Sequence, residues 1–177
     1  VAGGIPIIKS MREGFVGNQV SEVYGILNGT CNYILTVMRE TGKPFDEVLS
    51  DAQKLGYAEA DPSFDIDGID TAHKTCILGA LAFGMPINLD ALNIEGIRHI
   101  SALDIAFAEE LGFRIKLLGV GRRSEQGVSL NVYPCMIPQT SEIAHVDGVF
   151  NAVITEGDFV GHSMLVGRGA GERPTAS

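Results

Sequence analysis

The chain has 177 residues, of which 45% are hydrophobic, and its mean hydropathy is +0.18. This length and apolar content are sufficient for one sizeable core, so a disordered chain is excluded. The formal net charge is −9 and the lysines and arginines are scattered, which argues against nucleic acid or a membrane surface as a partner.

The predicted elements run from one strand through four helices to four further strands. The first strand lies within 16–27 and leads into the first helix. Apolar spacing predicts helices over 30–42, 44–56, about 67–83 and 102–112. The period then changes to two, which predicts strands within 113–123, 127–137, 148–157 and 158–167. This order predicts an α+β fold, with helices packed on one face of a mainly antiparallel or mixed β-sheet.

Both ends of the sequence indicate an internal piece of a longer protein. The chain opens without Met in "VAGGIPIIKS" and closes in "VGRGAGERPTAS". In the closing segment, Pro174 and Thr175 are typical of a helix start, yet no helix follows. We therefore expect parts of the protein to lie outside this segment.

Asp70 and Lys74 are four residues apart in the third predicted helix and therefore share one of its faces. The residues that follow, "TCILGALAFG", are almost wholly apolar, so most of this helix is expected to be buried. A lysine held there is partly desolvated and becomes a usable proton donor and acceptor. The alternative is an exposed ion pair with little effect on stability.

The loop before this helix concentrates carboxylates, which are expected to fold over the helix start and surround Lys74. They are Glu59, Asp61, Asp65 and Asp67. We also expect Asp65 or Asp67 to cap the third helix. An EF-hand-like calcium loop counted from Ser63 is disfavoured, because its twelfth position is Lys74 where that site needs a bidentate Glu.

The cysteines and histidines form no metal-binding pattern in the sequence. The cysteines are odd in number and far apart, at Cys31, Cys76 and Cys135. They predict neither a disulfide framework nor a thiolate zinc site, and they favour a reducing, cytoplasmic setting. The histidines are equally dispersed, at His73, His99, His145 and His162.

Several segments together resemble homoserine dehydrogenase. They are "GILNGTCNYILTVM", "EVLSDAQKLGYAEADPSFDIDGIDTAHKTCILGALAFG" and "GRGAGERPTAS". The opening "AGGIPIIKSM" is similar to the segment where that enzyme's chain leaves its cofactor domain. The resemblance runs along essentially the whole chain, and its specific core is the string G-Y-A-E-A-D-P-x-x-D-x-x-G-x-D-x-A-x-K.

The resemblance implies an NAD(P)-dependent oxidoreductase that interconverts L-homoserine and L-aspartate 4-semialdehyde, toward threonine, methionine and isoleucine. Lys74 would be the acid and base that protonates the carbonyl oxygen as hydride arrives. Glu59 and Asp70 would hold the ammonium and hydroxyl end of the substrate. Further substrate-binding residues would be Asp65, Tyr57 and Thr30.

The resemblance also implies two ligand sites built largely from backbone. The first binds a monovalent cation, Na⁺ or K⁺, through carbonyl groups that we place at Ser21, Tyr24, Ile26 and Asn28. The second is the "GRGAG" run near the nicotinamide or the phosphates, with Gly169, Gly171 and Glu172 as the cofactor-binding residues. A tight turn without any ligand is the alternative for this glycine run.

Residues 1–177 are thus expected to form the substrate-binding and dimerisation domain, and to homodimerise through the sheet. The dinucleotide fingerprint is not in the sequence, so only the edge segments 1–10 and 168–177 would belong to the cofactor domain. We expect the isolated chain to be inactive. The alternative function is a non-catalytic oligomerisation or interaction module, in which Lys74 would be an ordinary surface residue rather than part of a cleft.

Overall fold

The computed structural model describes residues 1–169, which form helices and one six-stranded sheet. The α-helices in this range are α1 (Ile7–Lys9), α2 (Gly29–Thr41), α3 (Phe45–Lys54), α4 (Ser63–Ile66), α5 (Ile69–Phe83) and α6 (Ala102–Glu110). The strands are β1 (Val20–Ile26), β2 (Asn93–Ile94), β3 (Phe113–Ser124), β4 (Gly127–Pro138), β5 (Phe150–Gly157) and β6 (Gly161–Arg168). A π-helical turn covers Ser10–Gly14, and 3-10 turns cover Leu89–Ala91 and Glu142–His145.

The sheet is mixed, with the strand order β2-β4-β3-β1-β5-β6. Only the short β2 pairs in parallel, with β4, and all the other pairs are antiparallel. The predicted α+β class is therefore confirmed. The four predicted helices and five predicted strands are all present, whereas α1, α4, β2 and the π and 3-10 turns were not predicted.

Alternation along the strands separates two apolar layers. Val23, Leu117 and Val153 point to one face, where Leu117 joins the larger core cluster and Val23 and Val153 join a second one with the N-terminal segment. The side chains of Leu118 and Ile154 point to the opposite face and pack with Ile143, Val146, Tyr24 and Met164. Helix α5 lies close to the sheet at Gly119, where an added Cβ would come within 1.9 Å of the Thr75 Oγ1. This close approach holds the helix that carries Lys74 firmly against the sheet.

The expectation that Asp65 or Asp67 caps α5 was wrong. The helix begins after Gly68, whose φ is 84°, and no side chain caps it. Asp67 accepts a hydrogen bond from the Arg98 Nε at 2.8 Å, and Asp65 accepts one from the Asn28 Nδ2 at 2.6 Å. The short α4 turns both carboxylates toward these partners and away from the amides at the start of α5.

Within residues 1–169, no helix is both long enough and apolar enough to cross a bilayer.

Candidate active site

Four side chains converge where β1 ends and α5 begins, and we call them the Lys74 cluster. They are Asn28, Asp65, Asp70 and Lys74. The Lys74 Nζ donates to the Asp70 Oδ2 at 2.6 Å and to the Leu27 carbonyl oxygen at 3.1 Å. The Asn28 Nδ2 donates to both carboxylates, at 2.6 Å to Asp65 and 2.9 Å to Asp70. One amide therefore holds the two carboxylates together beside the ammonium.

Local structure explains this convergence. Asp70 and Lys74 lie one turn apart on α5, with the acidic residue on the N-terminal side. Asn28 is the N-cap of α2, and its Oδ1 accepts the Cys31 N–H at 2.8 Å. Since the Oδ1 is fixed by this cap, the Nδ2 of the same amide is directed at the carboxylates. The short α4 brings Asp65 to the other side of that amide.

The Lys74 cluster is half-buried and carries more negative than positive charge. The side chains of Lys74 and Asp70 are 26% and 20% exposed. Burial raises the pKa of Asp65, the Asn28 hydrogen bond lowers it, and the nearby charge of Asp70 raises it again. An ammonium has three N–H donors, and contacts within residues 1–169 use two of those on Lys74. The third is available for an oxygen atom of a ligand.

Among the described residues, the other predicted substrate residues form no hydrogen bond with Lys74. The Thr30 hydroxyl donates to the Tyr57 carbonyl at 2.8 Å, and the Tyr57 ring packs on Tyr33 with a centroid distance of 4.7 Å. Glu59 is exposed, and its backbone carbonyl accepts a hydrogen bond from Gln53 at 3.0 Å. Its charge contributes to the raised pKa of Asp65, which places Glu59 at the rim of the cluster.

The residues predicted to bind a monovalent cation lie along β1 and just before α2, and their site stays a prediction. Ser21, Tyr24 and Ile26 lie in β1, which pairs on one side with β3 and on the other with β5. The registered pairs with β3 run only from Glu22 to Gly25, so Ile26 is paired with β5 alone. The register with β5 shifts between Val20 and Glu22, so Ser21 lies at an irregularity of the ladder. The Asn28 carbonyl accepts the Asn32 N–H at 3.2 Å. We derive no cation chemistry from these residues.

Of the predicted cofactor-binding residues, Gly171 and Glu172 lie outside the described residues, whereas Gly169 follows β6. An added Cβ at Gly169 would come within 2.1 Å of the side-chain amide of Asn151. The amide of Gly169 donates to the Val149 carbonyl at 2.9 Å. The glycine is thus required by packing inside the chain, and this contact gives no support for a nucleotide at Gly169.

Sequence reasoning missed the roles of Asn28, Leu27 and Asn151 in this site. The position of Asn28 before a helix predicts an N-cap, but it does not predict the hydrogen bonds to the two carboxylates. Leu27 contributes a carbonyl group, which leaves no trace in side-chain chemistry. Asn151 lies far away in the sequence, and only the sheet brings its Nδ2 to 3.2 Å from the Leu27 oxygen.

A second polar cluster surrounds the buried Lys116, which is 1% exposed. Its Nζ donates to the Asp147 Oδ1 at 2.8 Å and to the Val146 carbonyl at 2.7 Å. Arg39 forms two hydrogen bonds with the same carboxylate, at 2.9 and 3.0 Å. Burial raises the pKa of Asp147, but the hydrogen bonds from Arg39 and Lys116 outweigh it and hold the pKa at about 2. This cluster connects α2 with β3 and the chain before β5.

The sequence model of the homoserine dehydrogenase family matches residues 6–177. The chain belongs to the homoserine dehydrogenase family. Homoserine dehydrogenases from Neisseria gonorrhoeae and Pseudomonas aeruginosa are 55% and 53% identical to it over its whole length. The chain spans 41% of the length of each of these relatives.

Solved structures of homoserine dehydrogenases share the fold. The Thiobacillus denitrificans homoserine dehydrogenase gives a TM-score of 0.98 and 55% identity over 99% of this chain and 41% of its own. A hyperthermophilic archaeal homoserine dehydrogenase in complex with NADPH gives 0.83 and 30% identity over 99% of this chain and 50% of its own. The resemblance predicted from the sequence is therefore confirmed. Family membership and the half-buried Lys74 disfavour the non-catalytic interaction module.

Proposed function

We propose that this chain is the substrate-binding and catalytic part of a homoserine dehydrogenase, which interconverts L-homoserine and L-aspartate 4-semialdehyde. The observation that carries the proposal is the Lys74 cluster, in which one ammonium with an available N–H lies beside two carboxylates that the Asn28 amide holds together. The pathway role is in the biosynthesis of threonine, methionine and isoleucine. Among the described residues, the three cysteines are free, which suits a reducing cytoplasmic setting.

Lys74 supplies the proton in this reaction. In the direction of reduction, its third N–H binds the aldehyde oxygen and transfers a proton to it as the carbonyl carbon becomes tetrahedral. Asp70 and the Leu27 carbonyl hold the ammonium at 2.6 and 3.1 Å, which fixes the direction of that N–H. In the reverse direction, Lys74 accepts the hydroxyl proton of homoserine.

The carboxylates supply the charge that the substrate requires. Asp65 and Asp70 carry two negative charges against the one positive charge of Lys74, so the cluster favours a second cation. The α-amino group of homoserine is such a cation, and Glu59 at the rim adds to the attraction. Tyr57 and Thr30, joined by their hydrogen bond, form the neighbouring wall.

A nicotinamide nucleotide supplies or accepts the hydride when it is bound. Support comes from the archaeal relative in complex with NADPH. We propose that the "GRGAG" run, with Gly169 and Gly171, passes near the nucleotide. The described contact that explains the glycine at 169 is with Asn151.

We also propose that residues 1–177 act as a dimerisation domain through the second face of the sheet. Met164 packs on that face, and Val166, two residues further along β6, is 53% exposed on the same side. An apolar sheet face of this kind is suited to association with a second copy. The 3-10 turn Glu142–His145 covers part of this face, whereas Val166 on β6 stays exposed.

The test uses a hybrid enzyme, in which this chain replaces the matching 177 residues of the Neisseria gonorrhoeae homoserine dehydrogenase. Homoserine-dependent reduction of NAD or NADP is measured for the parent hybrid, Lys74→Ala and Glu59→Gln. Loss of the proton donor should lower kcat by about a hundredfold or more, whereas loss of a rim carboxylate should mainly raise KM for homoserine.

Lys74→Met, which keeps the length of the side chain without its charge, controls for packing and should lose activity equally. The three variants should keep the circular dichroism spectrum of the parent. An inactive parent hybrid, or a Lys74→Ala variant with the kcat of the parent, would contradict the proposed function.

A further inference from the structure

One backbone oxygen receives hydrogen bonds from two side chains that are far apart in the sequence. The Leu27 carbonyl accepts the Lys74 ammonium at 3.1 Å and the Asn151 Nδ2 at 3.2 Å. A carbonyl oxygen has two lone pairs, so both bonds can exist together. Asn151 therefore contacts the acceptor of Lys74 and not Lys74 itself.

Asn151 acts where the sheet no longer holds the backbone. The last paired residue of β1 is Ile26, which lies opposite Ala152, and Leu27 is one residue further along the chain. Its carbonyl therefore lies past the registered end of the ladder and just before the N-cap residue Asn28. The side-chain amide of Asn151 donates to this carbonyl and so takes the place of a backbone N–H from a neighbouring strand.

The Asn151 amide is itself held in place. Asn151 is 0% exposed, and its partner across the β5–β6 ladder is Gly167. Gly169 lies so close that an added Cβ would come within 2.1 Å of the Asn151 Cγ. A fully buried amide confined on this side by backbone has little rotational freedom.

We propose that Asn151 is a positioning residue for Lys74. By fixing the Leu27 carbonyl, it fixes the direction of the Lys74 ammonium and so of the N–H offered to the substrate oxygen. Without Asn151, the Leu27 carbonyl can rotate away from the Lys74 ammonium. The ammonium then keeps only its hydrogen bond to Asp70 and is free to turn about the line from Nζ to Oδ2. This inference rests on the proposed function, because it assigns a purpose to the orientation of Lys74.

The test compares two buried asparagines in the hybrid enzyme. Asn151→Leu removes the donor while keeping most of the side-chain volume, and Asn151→Asp keeps the shape but has no donor in its ionised form. The matched control is Asn32→Leu. Asn32 is 1% exposed and also donates to backbone carbonyls, those of Val146 at 2.9 Å and Phe150 at 3.1 Å. It lies outside the Lys74 cluster.

Both Asn151 variants should lower kcat by about tenfold or more, with KM for homoserine within about twofold of the parent, since misplacing a catalytic group affects the rate more than binding. The solvent deuterium isotope effect on kcat should increase, because proton transfer from Lys74 becomes slower. Asn32→Leu should lower Tm without changing that isotope effect. In a Lys74→Ala background, Asn151→Leu should have no additional effect on the residual rate.

An Asn151→Leu or Asn151→Asp variant with the kcat and isotope effect of the parent, or with the changes seen in Asn32→Leu, would overturn the inference. The activity of Lys74→Ala shows whether the proposed function fails or only the positioning role of Asn151 fails. If Lys74→Ala loses activity and the Asn151 variants do not, only the positioning role is wrong. If Lys74→Ala keeps the parent kcat, the proposed function is wrong as well.

Discussion

The carboxylate of Asp70 lies 2.6 Å from the ammonium of Lys74, one helical turn earlier on α5. The same carboxylate oxygen accepts the Asn28 amide at 2.9 Å. Asp70 is therefore the acceptor that connects the lysine with the remainder of the Lys74 cluster.

Asp70→Asn should lower kcat of the hybrid enzyme by about tenfold to a hundredfold, because the neutral amide neither balances nor orients the ammonium. Steady-state homoserine oxidation measures this effect. Asp67→Asn is the matched control, since Asp67 belongs to the same carboxylate-rich segment but forms an exposed ion pair with Arg98. Its kcat should stay within about twofold of the parent, and an equal loss in both variants would contradict a special role for Asp70.

Asp147→Asn should change the acid stability of the chain. The pKa of Asp147 is about 2 in the folded protein, below the usual value near 3.9 for an unfolded chain. The stabilisation from its ionised form is therefore complete above about pH 4 and is lost as the pH falls toward 2. Between pH 4 and pH 2, the unfolding free energy of the parent should fall by about 1 to 2 kcal/mol more than that of the variant. This figure allows for the partial exposure of the carboxylate.

Urea unfolding followed by circular dichroism at several pH values measures this difference. The exposed Asp90 provides the control. In Asp90→Asn, the unfolding free energy should fall between pH 4 and pH 2 as much as it does in the parent. If Asp147→Asn and the parent lose stability in parallel between pH 4 and 2, the ion pairs with Lys116 and Arg39 do not hold the pKa down.

Gly119→Ala should destabilise the fold by about 1 to 3 kcal/mol, because the new methyl group overlaps the Thr75 hydroxyl and pushes α5 from the sheet. Thermal unfolding of the chain measures the loss. Gly17→Ala is the control, since an added Cβ at Gly17 meets nothing within 4 Å. Equal Tm values for the two variants would show that α5 can shift without cost.

Val166→Lys should weaken the proposed dimerisation through the second face of the sheet, because it places a charge on an apolar surface that a second copy would bury. Sedimentation velocity over a range of protein concentrations measures the association. Leu103→Lys is the control, since Leu103 is 61% exposed on α6 in the helical layer. A dimer that Val166→Lys leaves intact would place the contact elsewhere.

The sequence was sufficient for those features that depend on neighbours within one element. The i to i+4 pairing of Asp70 with Lys74 follows from helical geometry, and it is present as predicted. The period-two segments likewise gave β3, β4, β5 and β6 with small differences at their ends. The spacing of apolar residues predicts these elements because each of them buries one continuous apolar side.

Features that depend on distant contacts could not be predicted. The two-residue β2 is too short for any periodic pattern, and it exists because it pairs with β4. Asp65 or Asp67 was expected to cap the third helix, but the Asp67 carboxylate accepts from Arg98, 31 residues later, and the Asp65 carboxylate accepts from Asn28. The backbone bond that holds Lys74 was equally hidden, since any residue at position 27 has a carbonyl group.

The Leu27 carbonyl limits how this site could be transplanted to another protein scaffold. Copying the side chains of Asn28, Asp65, Asp70 and Lys74 onto a new backbone would leave out the second acceptor of the ammonium. Any graft would also have to reproduce the terminus of β1, with its peptide group turned toward α5. For the same reason, an alanine scan would miss this acceptor, and only a change in the main chain, such as an ester in place of the peptide bond after Leu27, would perturb it directly.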